Sequence, residues 1–135
     1  METTKAKKYT EAIGRRKTSV ARVRLSPATK GNMVINGKDL PLYFKTEELR
    51  SIAKGSLEKS GMTQKFSISV KAMGGGVHAQ AEAIRLGIAR AILKIEPEQK
   101  IALKKEGFLR RDSRKVERKK FGLKKARKSP KWSKR

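Results

Sequence analysis

Positive charge, unevenly distributed, is the feature that most limits what this chain can fold into. Lysine and arginine make up 36 of 135 residues against 12 aspartates and glutamates, a formal net charge of +24. Residues 104–135 contain 16 of these cations, 3 acidic residues and only 7 apolar ones. That segment cannot bury a core, whereas the 42 apolar residues of positions 1–103 can. We expect a short flexible N-terminus over 1–8, a globular body over 9–106 and an extended basic tail over 107–135.

The composition also excludes whole classes of function. The chain has no cysteine, which excludes disulfides, thiol catalysis and cysteine-ligated metal centres. With His78 as its single histidine, we expect no metal site and no cofactor. No apolar run exceeds three residues, too few for a membrane helix or a signal-peptide core. A compact chain of this charge repels itself, so we expect a soluble, intracellular protein bound to a polyanion.

Alternating apolar and polar residues predict a small sheet in the body. Strands are expected over residues 9–13, 18–25, 33–35 and 65–73, with a charged turn at Gly14–Lys17. Apolar residues at helical spacing predict helices over 39–44, 46–61, 77–95 and 97–106. The fold class is therefore α+β, a small mixed sheet with helices on one face.

Three consecutive glycines, Gly74, Gly75 and Gly76, separate the clearest strand from the strongest helix. At a helix start, glycines let backbone N–H groups approach a phosphate, which the helix dipole favours. They also permit a tight turn with positive φ angles. The run lacks the Lys-Ser/Thr ending of a P-loop and the later glycine of a dinucleotide loop, which argues against a free nucleotide. A tight turn and contact with an RNA backbone both stay open.

His78 and Glu82, one helical turn apart, have the spacing of an acid–base pair. No serine, aspartate or second histidine beside them completes a catalytic constellation. We interpret His78 as a surface or interface histidine and expect no enzymatic activity and no small-molecule substrate.

The tail carries its cations in clusters. These are Arg110-Arg111, Arg114-Lys115, Arg118-Lys119-Lys120, Lys124-Lys125, Arg127-Lys128 and Lys134-Arg135. A solvated helix face would alternate the two signs, and two glycines and a proline divide the segment. Phe108, Phe121 and Trp132 are spaced along it to stack on bases or to fill apolar gaps. This pattern predicts contact with RNA or DNA, between which charge alone does not choose.

Several longer motifs occur in a fixed order along the chain. The body has Gly14-Arg15-Arg16-Lys17 with Ala21-Arg22, then Gly74–Gly76 followed by Gln80, Ala83-Ile84-Arg85 and Gly87-Ile88-Ala89-Arg90-Ala91. The tail adds Gly107-Phe108, Arg111-Asp112-Ser113-Arg114, Glu117-Arg118-Lys119-Lys120, Gly122-Leu123-Lys124-Lys125-Ala126-Arg127 and Ser133-Lys134-Arg135. Together they resemble the small-subunit ribosomal protein S-nine family in its bacterial form, over nearly the whole chain.

This resemblance implies a fold, a location and partners. The family's body is like the second domain of ribosomal protein S-five and includes a left-handed βαβ crossover, where patterns alone would default to a right-handed one. The family is a structural constituent of the head of the small ribosomal subunit, here in a bacterial cytoplasm rather than an organelle. Its partners are small-subunit ribosomal RNA, the peptidyl-site tRNA and neighbouring head proteins, with no membrane.

The resemblance also implies roles for particular residues. Ser133, Lys134 and Arg135 would contact the peptidyl-site tRNA near its anticodon stem-loop. Ribosomal RNA would be bound by Arg15, Arg16, Lys17, Arg22, Gly74, Gly75, Gly76, Arg110, Arg111, Arg114, Arg118, Lys119, Lys120, Lys124, Lys125, Arg127 and Lys128. The chain departs from the family pattern at Ala79, where glycine is usual, and at Lys131-Trp132, which replaces Gln-Phe.

Two other classes of protein are the alternatives. A nucleoid protein or nucleic-acid chaperone would bind arbitrary DNA and RNA with similar affinity. A small-molecule kinase would bind ATP, but the chain lacks a catalytic carboxylate-and-lysine arrangement and is too short for two domains.

Overall fold

The computed structural model describes residues 9–134. The N-terminus expected over 1–8 and the candidate tRNA-binding residue Arg135 lie outside this part. Five strands form, β1 Thr10–Arg16, β2 Ser19–Pro27, β3 Asn32–Ile35, β4 Lys38–Asp39 and β5 Phe66–Met73. The helices are α1 Leu40–Tyr43, α2 Glu47–Lys59, α3 Val77–Ile95 and α4 Lys100–Lys105, with a 3-10 turn at Pro97–Gln99.

The five strands make one mixed sheet in the order β1-β2-β5-β3-β4. Pairing is antiparallel except between β3 and β5, which run parallel and are joined through β4, α1 and α2. This architecture confirms the α+β class with a small mixed sheet. The left-handed sense of the crossover stays a prediction from the family resemblance.

One face of the sheet is covered by helices and the other is open. Ala21, Val23 and Leu25 are buried, while Arg22 points to the opposite, exposed side. In β5, Phe66, Ile68, Val70 and Ala72 are buried in the same alternation. α3 packs on β1 and β2, and α2 packs on α3. The strand periodicity therefore identified the core face correctly.

Gly14 lies inside β1 and not in a turn, so the predicted turn at Gly14–Lys17 is wrong. The strand continues to Arg16, and the chain reverses at Lys17, whose φ is 52°. A Cβ on Gly14 would lie 1.8 Å from the carbonyl oxygen of Ala83, and one on Gly87 would lie 2.7 Å from Val23 Cγ2. Both glycines are needed because α3 crosses β1 with the two backbones in contact.

The Asn36-Gly37 turn joins β3 to β4 as its sequence predicts. Both residues have positive φ, 52° and 81°, the geometry that a two-residue hairpin of this type requires. The Asn36 side chain also accepts a hydrogen bond from the Ala72 N–H at 2.9 Å and donates one to the Ala72 carbonyl at 2.9 Å. It thereby continues the β3–β5 pairing beyond Ile35.

The boundaries of the helices follow the sequence signals closely, except in the segment after Pro97. α3 ends at Ile95 with Glu96 as an extended C-cap, because Pro97 restricts the residue that precedes it. Asp39 and Thr46 precede α1 and α2, but neither side chain makes a capping hydrogen bond. The single helix expected over 97–106 divides into the 3-10 turn and α4. Within residues 9–134, none of the helices is both long enough and apolar enough to cross a bilayer.

We predict that Gly14→Ala destabilises the body by about 3 kcal/mol or more. The added methyl group meets backbone atoms of α3, which cannot move aside as a flexible side chain could. Urea unfolding followed by circular dichroism measures the change. Gly31→Ala is the matched control, because its nearest neighbour would be 3.9 Å away, and it should alter stability by less than about 1 kcal/mol. Equal stability of the two variants would contradict the backbone contact.

Candidate nucleic-acid interface

A cationic cleft lies where the tail leaves the body. Its volume is about 460 Å³, and it is lined by Arg85 of α3 and by the tail residues Gly107, Arg110, Arg111, Asp112, Ser113 and Arg114. Arginine forms paired hydrogen bonds with phosphate oxygens and stays charged at any physiological pH. Four arginines against one carboxylate therefore make this cleft suited to a phosphate-bearing ligand.

Arg15 lies next to this cleft, although it is distant from the tail in sequence. A small adjoining cavity of about 50 Å³ is lined by Arg15, Arg85, Arg110 and Asp112 among others. The structure thus brings two predicted RNA-binding residues of β1, Arg15 and Arg16, together with predicted ones from the start of the tail. We name this combined site the junction cleft.

Phe108 anchors the start of the tail to the body. Its ring is half-buried against the hydrophobic core, and the Arg85 guanidinium lies over it, 4.9 Å from the ring centroid. Of the two roles expected for this aromatic, Phe108 fills an apolar gap. Phe121 and Trp132 are 99% and 84% exposed and have the free ring faces that base stacking requires.

Arg16 makes three contacts that join the body to the tail. Its Nε donates to Glu82 of α3 at 2.6 Å, and its Nη1 donates to the Arg114 carbonyl at 2.6 Å. Its Nη2 lies 3.4 Å from Asp112 Oδ2. The Arg16 side chain is only 11% exposed. We call these four residues, Arg16, Glu82, Asp112 and Arg114, the Arg16 clasp.

Asp112 organises the tail side of the clasp. It accepts hydrogen bonds from the Arg114 guanidinium at 2.8 to 3.1 Å and from the Arg114 backbone N–H at 3.0 Å. The side-chain bonds, followed by the backbone bond, hold the pKa of Asp112 far below its ordinary value, and the same pair raises the pKa of Arg114. Both groups are therefore charged at physiological pH, and only strong acid would neutralise Asp112.

The glycine run serves a turn at two of its three positions. Gly74 and Gly75 have φ of 76° and 63°, and a Cβ on Gly74 would lie 2.7 Å from the Thr18 carbonyl oxygen. Gly76 has φ of −90° and open space around it at the N-cap of α3. A tight turn thus explains the first two glycines but leaves Gly76 unexplained. Contact between its backbone and RNA stays a prediction.

The departure at Ala79 does not alter the exposed surface of this turn. Ala79 is 4% exposed, so its methyl group is buried inside the body. The alanine therefore adds no exposed side chain that would obstruct an approaching RNA backbone. Lys17 is exposed in the turn between β1 and β2. This turn lies beside the glycine run, since the Thr18 carbonyl is close to Gly74.

The exposed face of the sheet carries Arg22 apart from the junction cleft. Arg22 and Arg24 lie on neighbouring outward positions of β2, and their Nε atoms are 3.3 and 3.4 Å from the two carboxylate oxygens of Glu11. The Arg24 guanidinium also lies over the Tyr9 ring at 4.7 Å. Arg22 is half exposed and is placed to contact an anionic partner of the open sheet face.

The predicted RNA-binding cations of the later tail lie on the surface. Arg118, Lys119, Lys120, Lys124, Lys125, Arg127 and Lys128 are exposed, as are Ser133 and Lys134. Glu117 forms an ion pair with Lys120 and a second one, of 2.9 Å, with Arg127. The Lys124 N–H donates to the Lys128 carbonyl at 2.7 Å. These contacts fold residues 117–128 into a turn, although residues 107–134 contain neither helix nor strand.

His78 is a surface residue. Its side chain is 57% exposed, and its Nδ1 lies 3.8 Å from Glu82, which has a much shorter contact with Arg16. Within residues 9–134, no three His, Asp or Glu side chains are grouped closely enough to hold a metal ion. Glu82 therefore holds Arg16, a role that its spacing from His78 did not suggest.

Sequence reasoning missed the importance of Arg85 and Asp112. Arg85 was noted only within the Ala83-Ile84-Arg85 motif, yet it lines the cleft and its guanidinium lies over the Phe108 ring. Asp112 was noted only within the Arg111-Asp112-Ser113-Arg114 motif and among the three acidic residues of the tail. Its position two residues before Arg114 is the one available signal, because aspartate often accepts from the backbone two residues later.

An α+β body with a long basic segment that lacks helix and strand, joined at an arginine cleft, is typical of a ribosomal protein. Comparison with known proteins specifies the family. Residues 14–135 match the family described as Ribosomal protein S9/S16. The small ribosomal subunit protein uS9 of Synechococcus sp. (strain JA-2-3B'a(2-13)) is 53% identical over 123 residues, 90% of each chain. The protein of that name from Cytophaga hutchinsonii is 55% identical over 124 residues, 92% of this chain and 96% of its own.

The chain belongs to the small-subunit ribosomal protein S9 family. It is a ribosomal protein with a structural and not an enzymatic role, and it takes part in translation. The resemblance inferred from the ordered motifs is thereby confirmed, and the small-molecule kinase is excluded.

We predict that Gly76→Ser preserves the body and weakens binding to ribosomal RNA severalfold. Serine is a preferred N-cap residue at this φ, so stability should be equal or higher by a few tenths of a kcal/mol. Its side chain would block the backbone approach that we expect Gly76 to allow. Filter binding to a small-subunit head RNA fragment, with thermal unfolding beside it, measures both effects. Unchanged RNA affinity would leave Gly76 without a role in binding.

Gly74→Ser is the matched control for the stability measurement. Gly74 has φ of 76° and close backbone neighbours, so a serine there should lower the free energy of unfolding by about 2 kcal/mol.

Proposed function

We propose that this protein binds ribosomal RNA in the head of the small subunit and that the end of its tail contacts the peptidyl-site tRNA. The observation that carries this proposal is the junction cleft, which has six arginines and two carboxylates at the start of a basic tail, in a chain of this family. Neighbouring head proteins complete the set of partners, and a bacterial cytoplasm is the location.

In this proposal the body fixes where the protein binds on the RNA, and the tail extends to more distant RNA segments. Lysine and arginine neutralise phosphates that RNA folding brings together and release the counterions condensed on them. The body presents Arg15, Lys17, Arg22 and the Gly74–Gly76 turn on its surface. The tail then ties distant RNA segments together, because residues 107–135 could span on the order of 100 Å when extended.

The tail's exposed cations support binding to folded RNA. A chain segment without a core gains order only when a partner supplies the contacts it lacks. The exposed rings of Phe121 and Trp132 add surfaces for stacking on bases. Lysine at position 131 adds charge beside Trp132, so tRNA-proximal contact is kept or strengthened.

Lys134 and Ser133 are exposed, as a contact with tRNA requires. Arg135 lies outside the described residues, and its role rests on the family pattern. A guanidinium can hold a phosphate by two hydrogen bonds without reading sequence. The tail end would therefore steady any peptidyl-site tRNA alike and help to hold the reading frame.

We predict that deletion of 133–135 speeds the dissociation of tRNA from the peptidyl site by about three- to tenfold. Two surface cations that each contribute about 0.3 to 0.7 kcal/mol correspond to a change of that size. The rate is measured by filter binding on reconstituted ribosomes. The matched control, Lys54→Ser with Lys59→Ser on the exposed face of α2, removes the same charge and should leave the rate unchanged. An unchanged rate in the deletion would refute the tRNA contact but not the RNA-binding role of the body.

We predict that Arg110→Gln with Arg111→Gln lowers the salt dependence of binding to small-subunit ribosomal RNA. Each lost phosphate contact reduces the slope of log K against log salt by about 0.7 to 0.9, so the pair should reduce it by about 1.5. Binding across a salt series measures the slope, with the same α2 double variant as control. Equal affinity for arbitrary DNA and for this RNA would favour the nucleic-acid chaperone instead.

A further inference from the structure

We propose that the Arg16 clasp fixes the point and the direction at which the tail leaves the body. Arg16 is then a positioning residue for the tail, and not one of the residues that contact phosphate. The effect on RNA binding rests on the function proposed above, whereas the attachment of the tail does not.

All three nitrogens of the Arg16 guanidinium contact groups of the protein itself. Nε contacts Glu82 on α3, Nη1 contacts the Arg114 carbonyl and Nη2 faces Asp112. The carbonyl contact is the most informative, because it holds the tail's backbone and not merely a mobile side chain. Arg16 lines the small cavity of the junction cleft, but a phosphate could bond to its guanidinium only by displacing one of these partners.

Arg15 shows what the neighbouring position does differently. It follows Gly14 in the same strand and leaves the strand on the opposite face from Arg16; it is exposed, and it also lines the junction cleft. The pair therefore divides two tasks between adjacent arginines. The Arg15 guanidinium is exposed to solvent, whereas the Arg16 guanidinium forms ion pairs with Glu82 and Asp112.

The clasp carries no net charge. Arg16 and Arg114 balance Glu82 and Asp112, in a chain whose total charge is +24. The paired carboxylates allow the cationic tail to lie against a cationic body, because they offset the repulsion at the point of contact. Removing either carboxylate partner of Arg16 would leave like charges facing each other.

Two anchors together fix residues 107–114. Phe108 packs on the core at one end and the clasp holds Arg114 at the other. Among the described residues beyond Lys115, the hydrogen bonds and ion pairs stay within the tail. The free segment thus begins near residue 115 and has 20 residues up to Lys134, which could reach about 65 Å when extended.

Opening the clasp would lengthen the free segment back to Arg110, because Phe108 and Leu109 stay packed on the core. Effective concentration at the far end falls as roughly the 3/2 power of segment length, about 1.4-fold for this change. The larger effect is loss of direction, since the tail could then leave the body over a wide range of angles.

The first test measures tail attachment in the full-length protein alone. The chain has no cysteine, so Glu58→Cys on α2 and Lys115→Cys in the tail can be spin-labelled uniquely. Double electron–electron resonance between the two labels should give a narrow distance distribution. Arg16→Gln should broaden this distribution, and Arg15→Gln should leave it narrow. A narrow distribution in Arg16→Gln would overturn the proposal.

A second variant protects this test against misfolding. Asp112→Asn weakens the clasp from the tail side without altering the sheet, and it should broaden the same distribution while the circular dichroism of the body is unchanged. If Arg16→Gln unfolds the body, the outcome is decided by Asp112→Asn alone. A narrow distribution there would overturn the proposal.

The second test separates positioning from phosphate contact. Binding to the small-subunit head RNA fragment is measured over a salt series for both arginine variants. Arg15→Gln should lower the slope by about 0.7 to 0.9, whereas Arg16→Gln should weaken binding with the parent's slope. A slope reduced equally by Arg16→Gln would make Arg16 a phosphate contact and refute its positioning role.

The two tests also distinguish the proposals from each other. If no variant changes RNA binding but Arg16→Gln broadens the distance distribution, the clasp stands and the RNA-binding function of the junction fails. If RNA binding falls with a narrow distribution, the function stands and the clasp fails.

Discussion

The contact between the backbones of β1 and α3 is the constraint on which the rest of the structure depends. Gly14 and Gly87 remove the side chains that would keep the strand and the helix apart. α3 can then lie directly on β1 and β2 and bury its apolar residues against the sheet. The same approach puts Glu82 beside the inward-facing Arg16, so the body's closest packing also creates its attachment point for the tail.

The edge of the sheet is affected by the same packing. Arg90 of α3 donates to the Ile13 carbonyl at 2.8 Å, and Lys94 donates to the Glu11 carbonyl at 2.6 Å. β1 is an edge strand, and free carbonyls on such a strand invite pairing with another chain. Cations of the helix thus satisfy the polar groups of the strand on which it packs.

Three of the carboxylates each hold two cations close together. Glu11 joins Arg22 and Arg24 on the open sheet face, Asp112 joins Arg114 to Arg16, and Glu117 joins Lys120 to Arg127. The remaining cations of the tail have few internal partners and are available to an external polyanion. These acidic residues therefore hold parts of the chain together, whereas most basic residues of the tail stay exposed.

The sequence by itself determined the α+β class, the buried face of each long strand, the strongest helix and the family. Those features depend on local periodicity and on ordered motifs, which are visible in one dimension. Tertiary structure decided the position of Gly14 inside a strand, the burial of Arg16 and the junction cleft, none of which follows from local pattern. The physical reason is that each depends on a contact between segments far apart in sequence, such as residues 16 and 114. Two adjacent arginines look identical in the sequence, and only the packing of α3 and the tail on one face of β1 makes one a surface charge and the other a buried ion-pair partner.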